Sequence, residues 1–128
     1  MWQRATSGAG GGGGTGNALM VFTISASGVS ANHYVDEDLL TYVSGNYFGA
    51  NGQGDISFTS NVSGKIDIFC SNGDSSGTTY VKVNDTIVCQ VTNTPYVKNV
   101  TDIPISAGDT IRIFSNAYYG DVVISYHS

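Results

Sequence analysis

Between positions 55 and 126 polar and apolar residues take turns along a series of short runs: D-I-S-F-T over 55–59, K-I-D-I-F over 65–69, T-Y-V-K-V over 79–83, D-T-I-R-I-F over 109–114 and D-V-V-I-S-Y over 121–126. A period of two places every second side chain on one face of a strand, so each run is a strand with one face to bury. Asn84-Asp85 is a tight-turn dipeptide that joins 79–83 to the run 86–91 as a hairpin. An apolar run rich in Val, Ile and Phe occupies 18–26, and 96–105 is extended, with Pro104 near its end marking an edge or a bulge. Ser-, Asn- and Gly-rich clusters at 60–64, 71–77, 106–108 and 116–120 separate the runs. Short strands at this spacing predict an all-β domain, an antiparallel β-sandwich of the jelly-roll kind, and not βαβ units. The stretch HYVDEDLLTYV at 33–43 stays open. Its acids suit the start of a helical turn, while Tyr34, Leu39, Leu40 and Val43 can face a sheet. Extended chain or loop with up to one turn of helix is the expectation there.

The 128 residues fit one domain. Charged residues make up 12% of the chain, about half the usual ~25%, so Ser, Thr, Asn and Gly must solubilise the surface. The net charge is -5, and the five basic residues, Arg4, Lys65, Lys82, Lys98 and Arg112, are scattered. No basic stripe can follow a phosphate backbone, so neither nucleic acid nor an anionic membrane is expected as a partner. No run reaches the ~18 apolar residues of a membrane helix, and the glycine-interrupted start does not read as a signal peptide. The Asn-x-Ser/Thr sites at Asn61, Asn84 and Asn99 are then expected to be accidents of composition.

Residues 1–17, MWQRATSGAGGGGGTGN, form a glycine-rich arm before a sandwich domain spanning 18–128. Glycine loses the most backbone freedom on ordering, and the arm has little to bury, so it is expected to be flexible unless a partner holds it. Trp2 and Arg4 at its tip are residue types favoured as interface anchors. A passive tail and an assembly arm are both open readings. The two cysteines form no metal pattern. Strand phase places Cys70 with Ile66 and Ile68, and Cys89 with Ile87 and Val91, all facing the core. Two buried free thiols are the preferred reading, with a disulfide between the sheets as the alternative.

No catalytic constellation stands out. G-x-G-x-x-G matches at Gly8 only through the glycine tract, with no strand before it or helix after it. Gly64-Lys65 lacks the hydroxyl residue a phosphate loop needs. His33 precedes Asp36, Glu37 and Asp38, a spacing in which a metal or an acid/base pair is conceivable. Nothing supplies the remaining ligands, so a solvated acidic loop is expected. His127, at the penultimate position, is expected to fray. No catalytic residue, metal ligand or cofactor is therefore assigned, and the chain is expected not to be an enzyme. Aromatic residues beside turn segments are the better lead: Tyr47 and Phe48, and Tyr118 and Tyr119 flanked by Asn116 and Asp121. A tyrosine ring can stack on a sugar while Asn and Asp take its hydroxyls. Covering the sandwich ends or meeting another subunit is the reading preferred for them.

The segment IPISAGDTIRI at 103–113 resembles the penultimate-strand region of many β-sandwich modules, and VNDTIVCQV at 83–91 resembles their strand–turn–strand hairpin. With the glycine-rich arm, the combination resembles small bacteriophage virion accessory proteins: tail-tip, fibre or head-decoration subunits. Matching segments run from Lys65 to Tyr126, just under half the chain. The resemblance implies a non-enzymatic structural or accessory virion protein, assembled in the host cytoplasm into the virion. It further implies a homo-oligomer, with the trimer as the family's usual state, other virion proteins as partners and contact with a host surface glycan. No family binding residue maps onto this sequence. The alternative is a carbohydrate-binding module or adhesin domain of a bacterium.

Deleting residues 1–16 is expected to leave the fold intact and to abolish assembly if the arm anchors a neighbour. Trp2 fluorescence should then be blue-shifted and poorly quenched in the assembly, and red-shifted and readily quenched in the isolated subunit. A truncated chain that assembles at normal yield makes the arm a tail.

Overall fold

The computed structural model describes residues 17–24, 33–46, 54–72, 77–92, 97–116 and 120–128. Trp2, Arg4 and the glycine tract lie outside them. The strands are β1 (Asn17–Ile24), β2 (His33–Val35), β3 (Leu40–Asn46), β4 (Gly54–Ser60), β5 (Gly64–Asn72), β6 (Thr78–Val83), β7 (Thr86–Thr92), β8 (Val97–Ile105), β9 (Thr110–Ser115) and β10 (Gly120–His127). They form two five-stranded sheets, ordered β2-β1-β10-β5-β8 and β3-β4-β9-β6-β7. All neighbouring pairs are antiparallel. The chain passes repeatedly from one sheet to the other, as from β4 to β5 and from β8 to β9, while its first and last strands pair side by side. This is a jelly-roll sandwich, and no helix occurs among the described residues.

Alternation explains the core. In β4, β5, β6, β9 and β10 every second residue is buried. Ile56, Phe58, Ile66, Ile68, Val81, Ile111, Ile113, Val122 and Ile124 form the interlayer, each no more than 2% exposed. The β-branched majority suits a pleated surface, and burying each such side chain contributes roughly 1.5–3 kcal/mol. The polar members of the interlayer are paired: the Thr79 and Ser115 hydroxyls lie 2.8 Å apart across β6 and β9.

The open stretch at 33–43 resolves into β2, a turn and β3. Asp36 makes the turn. Its buried carboxylate accepts the Asp38 N–H at 2.9 Å, and its carbonyl accepts the Leu40 N–H at 3.0 Å. The chain crosses here from the first sheet to the second, so the acids do not open a helix. Pro104 sits exposed on β8, which is an edge strand, next to a bulge opposite Ile66 and Ile68. Asn84 and Asp85 both adopt positive φ, 49° and 70°, as the two-residue hairpin requires.

One assigned face is corrected. Ile87 does not face the core but is 45% exposed. The register slips between the Val81–Cys89 and Lys82–Ile87 pairs, leaving Val88 as the extra residue. A bulge reverses the phase of every side chain on one side of it. Val88 packs on the core where Ile87 was expected.

Cys70 and Cys89 are buried free thiols on facing sheets, as strand phase predicts. They hydrogen-bond to each other, and this contact with burial pushes the Cys70 thiol far up, so it stays protonated. Neither thiol should react with a thiol reagent until the protein is denatured. Cys70→Ser should lower the free energy of unfolding by roughly 1–3 kcal/mol, as a hydroxyl replaces sulfur in the core. Rapid native labelling of both thiols would contradict this packing.

Candidate functional site

The outward face of the second sheet holds a cleft of about 520 Å³ lined by Ser44, Gly45, Asp55, Ser57, Asp85, Thr110 and Arg112. Register creates it. Ser44 on β3, Ser57 on β4 and Arg112 on β9 lie in one row across three neighbouring strands. Asp85 arrives from the β6–β7 turn. A bulge in β3 between Tyr42 and Ser44 re-aims the end of that strand. Gly45 follows at φ +98°, and a side chain there would collide with the Asp55 carbonyl and come within 2.8 Å of Ile56 Cα. Only glycine lets the two backbones approach so closely. Tyr42 fastens this corner by donating its hydroxyl to the Gly45 carbonyl at 2.6 Å.

Within the cleft Arg112 grips Asp55 with two parallel hydrogen bonds, Nε to Oδ1 at 2.9 Å and Nη2 to Oδ2 at 2.7 Å. This fork geometry is the strong form of a guanidinium–carboxylate contact. It holds the Asp55 carboxyl below the usual carboxylate range, against a weaker opposing effect of burial. The same partner raises Arg112. Asp55 therefore stays ionised and cannot act as a proton donor near neutral pH. Among the described residues no histidine or cysteine lines the cleft. What remains is an array of hydroxyls and carboxylates around one positioned guanidinium, chemistry suited to hydrogen-bonding a polyhydroxylated ligand.

Beside the cleft, Tyr80 and Phe114 stack with centroids 4.9 Å apart and planes at 22°, and the Lys82 ammonium lies 5.3 Å from the Tyr80 centroid. These rings are engaged with their own neighbours rather than presented as a free platform.

Of the residues singled out in the sequence, Tyr47, Phe48, Tyr118 and Tyr119 lie outside the described residues. Asn116 and Asp121 are described and lie at different sheets. Asn116 ends beyond β9 of the second sheet, its side-chain oxygen accepting the Thr78 N–H at 2.6 Å. Asp121 belongs to β10 of the first sheet, paired with Ser71. His127 is held in β10 opposite Lys65, contrary to the expected fraying. The acids at 36–38 build a turn, with Glu37 and Asp38 exposed. The sequence reading missed the cleft altogether. Its one available signal was Arg112, an arginine in an outward position of an otherwise alternating strand.

No family model and no curated protein matches the chain. Among solved structures it is similar to rabbit GITRL, with a TM-score of 0.50 at 12% identity over 85% of this chain and 94% of that one. It is also similar to pika GITRL (TM-score 0.49, 15% identity, 88% and 98% covered). A further match is the C-terminal CBM6 of LamC, a marine laminarinase from Zobellia galactanivorans (TM-score 0.39, 13% identity, 85% and 99% covered). At such identities the likeness to rabbit GITRL is one of fold and supports the jelly-roll assignment.

The depressed carboxyls set an acid dependence. Asp55 is lowered by Arg112, and Asp109 by hydrogen bonds from Asn84 and then Ser106. A carboxyl lowered on folding contributes stability above its unfolded value of ~3.9 and loses it as pH falls through the folded value. The urea midpoint should therefore hold steady above about pH 5 and drop below about pH 4. Arg112→Ala should weaken that drop. A carbon-detected titration placing Asp55 at or above ~3.9 would contradict the fork.

Proposed function

We propose that this chain is a non-enzymatic recognition and assembly domain that binds a glycan in the cleft of the second sheet. The observation that carries the reading is the Arg112–Asp55 fork in one cleft with the hydroxyls of Ser44, Ser57 and Thr110 and the Asp85 carboxylate. A guanidinium fixed by its own carboxylate keeps unused donors in a set direction, and neighbouring hydroxyls can donate or accept, which suits sugar diols. Among the described residues no nucleophile with an adjacent base lines the cleft, and its ionised Asp55 cannot protonate a leaving group, which favours recognition over hydrolysis.

The setting proposed is a virion: an accessory subunit of a phage tail, fibre or capsid that contacts a host-surface sugar. The jelly roll, the glycine-rich arm and the 103–113 segment support it. Self-association is part of the reading. The outward face of the first sheet carries Phe69 and Val123, both half-buried, and Val97, 49% exposed, in neighbouring rows of β5, β10 and β8. A second copy is the proposed occupant of these apolar rows, and light scattering of the full chain reads its presence as a multiple of the 13.4 kDa subunit mass. A bacterial carbohydrate-binding module would use the same cleft without the virion. The two differ in whether the chain is found in purified particles.

Screening the full chain on a glycan array, followed by calorimetry on the best ligand, tests the cleft. Arg112→Ala should weaken binding by about ten- to a hundredfold, the range for a lost hydrogen bond to a charged group. Val97→Ala, on the opposite sheet, should leave it unchanged. Binding that ignores Arg112→Ala would remove the cleft from the reading, and failure to bind any glycan would refute sugar recognition.

A further inference from the structure

On the outward face of the first sheet, three adjacent strands bring together Asp67 from β5, Asp102 from β8 and His127 from β10. One ligand atom from each lies within 4.8 Å of the others. His127 Nε2 is 3.3 Å from Asp67 Oδ1 and 3.1 Å from Asp102 Oδ1. The bulge in β8 makes the approach possible. It inserts a residue opposite Ile66 and Ile68, and Asp102 turns at φ 58° with its N–H donating to Asp67 Oδ1 at 2.8 Å.

The imidazole supplies the second observation. Its Nδ1 lies 3.3 Å from the main-chain oxygen of Ser128. That oxygen can only accept, so a neutral ring that donates from Nδ1 leaves Nε2 as its free ligand atom. A main-chain acceptor behind a histidine is the usual support of a metal-bound ring. In the neutral ring the Nε2 lone pair then points at two carboxylate oxygens, an arrangement that calls for a positive charge between them.

We propose that Asp67, Asp102 and His127 bind one divalent transition-metal ion of the zinc class. Ligand atoms around such an ion, at bonds of ~2.0 Å, lie about 3.3 Å apart along a tetrahedral edge. The two nitrogen–oxygen separations already have that length. Imidazole selects zinc, copper or nickel over calcium and magnesium, which take oxygen ligands. Two carboxylates balance the ion's charge. The side chains are 23%, 37% and 63% exposed for His127, Asp67 and Asp102, so the ion has an entry path and its fourth position faces solvent. That position is open to water or to a donor atom of a bound partner.

The test uses the full chain stripped with a chelator and titrated with Zn²⁺, with Ca²⁺ as the contrasting ion. Calorimetry reads stoichiometry, and nitrogen-15 imidazole spectra read the ligand atom. The chain has only two histidines, so a His33→Asn background isolates His127. One Zn²⁺ per chain should bind with a shift of His127 Nε2 and a rise in Tm, while Ca²⁺ at equal concentration should do neither. Asp102→Asn keeps a residue tolerated at positive φ and should weaken Zn²⁺ binding at least about tenfold. His127→Gln should abolish the saturable step. No saturable binding, or binding unmoved by both substitutions, overturns the proposal. So does a His127 that is doubly protonated at pH 7 and unperturbed by Zn²⁺, the mark of an imidazolium held between two carboxylates.

Discussion

The interlayer in which two sheets bury each other's inward rows is the constraint from which the rest of the molecule follows. Ile56, Ile66, Ile111, Ile113, Val81, Val122 and Ile124 are fully buried there, and a one-residue slip in any of their strands would turn that row out to water. The interlayer therefore fixes the register of β4, β5, β6, β9 and β10, and register fixes what stands on the two outward faces. Arg112 is outward because Ile111 and Ile113 are inward, and Asp67 is outward because Ile66 and Ile68 are inward. Both candidate sites are by-products of core packing in this sense: the core determines where each side chain points and leaves its chemistry free.

A second network ties one end of the sandwich. The β6–β7 turn, the turn before β9 and the turn before β5 meet there. Asn84 donates to Asp109 Oδ1 at 2.9 Å and accepts from the Thr110 N–H, Asp109 Oδ2 accepts from the Ser106 N–H, and Ser60 exchanges backbone bonds with Asp109 and Gly108. Loops that cross between sheets leave backbone groups without ladder partners, and these bonds satisfy them. The S-A-G-D turn at 106–109 is thus a joint between the sheets as well as a connection along the chain. It also holds the β6–β7 turn, and hence Asp85, against the start of β9 at the rim of the cleft.

β4, β5, β6, β9 and β10 were legible because each alternates between turn residues, and nothing but a sheet uses that pattern. β2 and β3 were not. β2 has only three residues, and β3, L-T-Y-V-S-G-N, is interrupted by a bulge that breaks its period. Ile87 was misplaced for the same reason, since a bulge one residue from a tight turn leaves no trace in composition. Site residues were harder still. Asp55 and Arg112 are 57 positions apart, and Asp67 and His127 are 60 apart. Only the order of strands in each sheet brings them together. The sequence reading looked instead at segments near turns, where the Asn116 side-chain oxygen accepts the Thr78 N–H.

The two outward faces carry different polar groups, and the difference bears on how the proposed activities fit one molecule. The second sheet exposes Tyr42, Val43 and Ile87 along its outer strands, and between them its cleft presents hydroxyls and an ionised pair, groups that can exchange their water for a sugar's hydroxyls. The first sheet presents Phe69, Val123 and Val97, with the Asp67–Asp102–His127 cluster toward the far end of the same strands. An apolar face gains from being covered by a second copy, whereas a carboxylate pair beside it loses by being stripped of water. A divalent ion removes that conflict, because it neutralises the carboxylates and leaves one coordination position for a donor from the covering surface. Self-association through the first sheet and metal binding at its margin would then reinforce each other. By linkage, an ion that prefers the assembled state must raise subunit affinity by the same factor as assembly raises affinity for the ion.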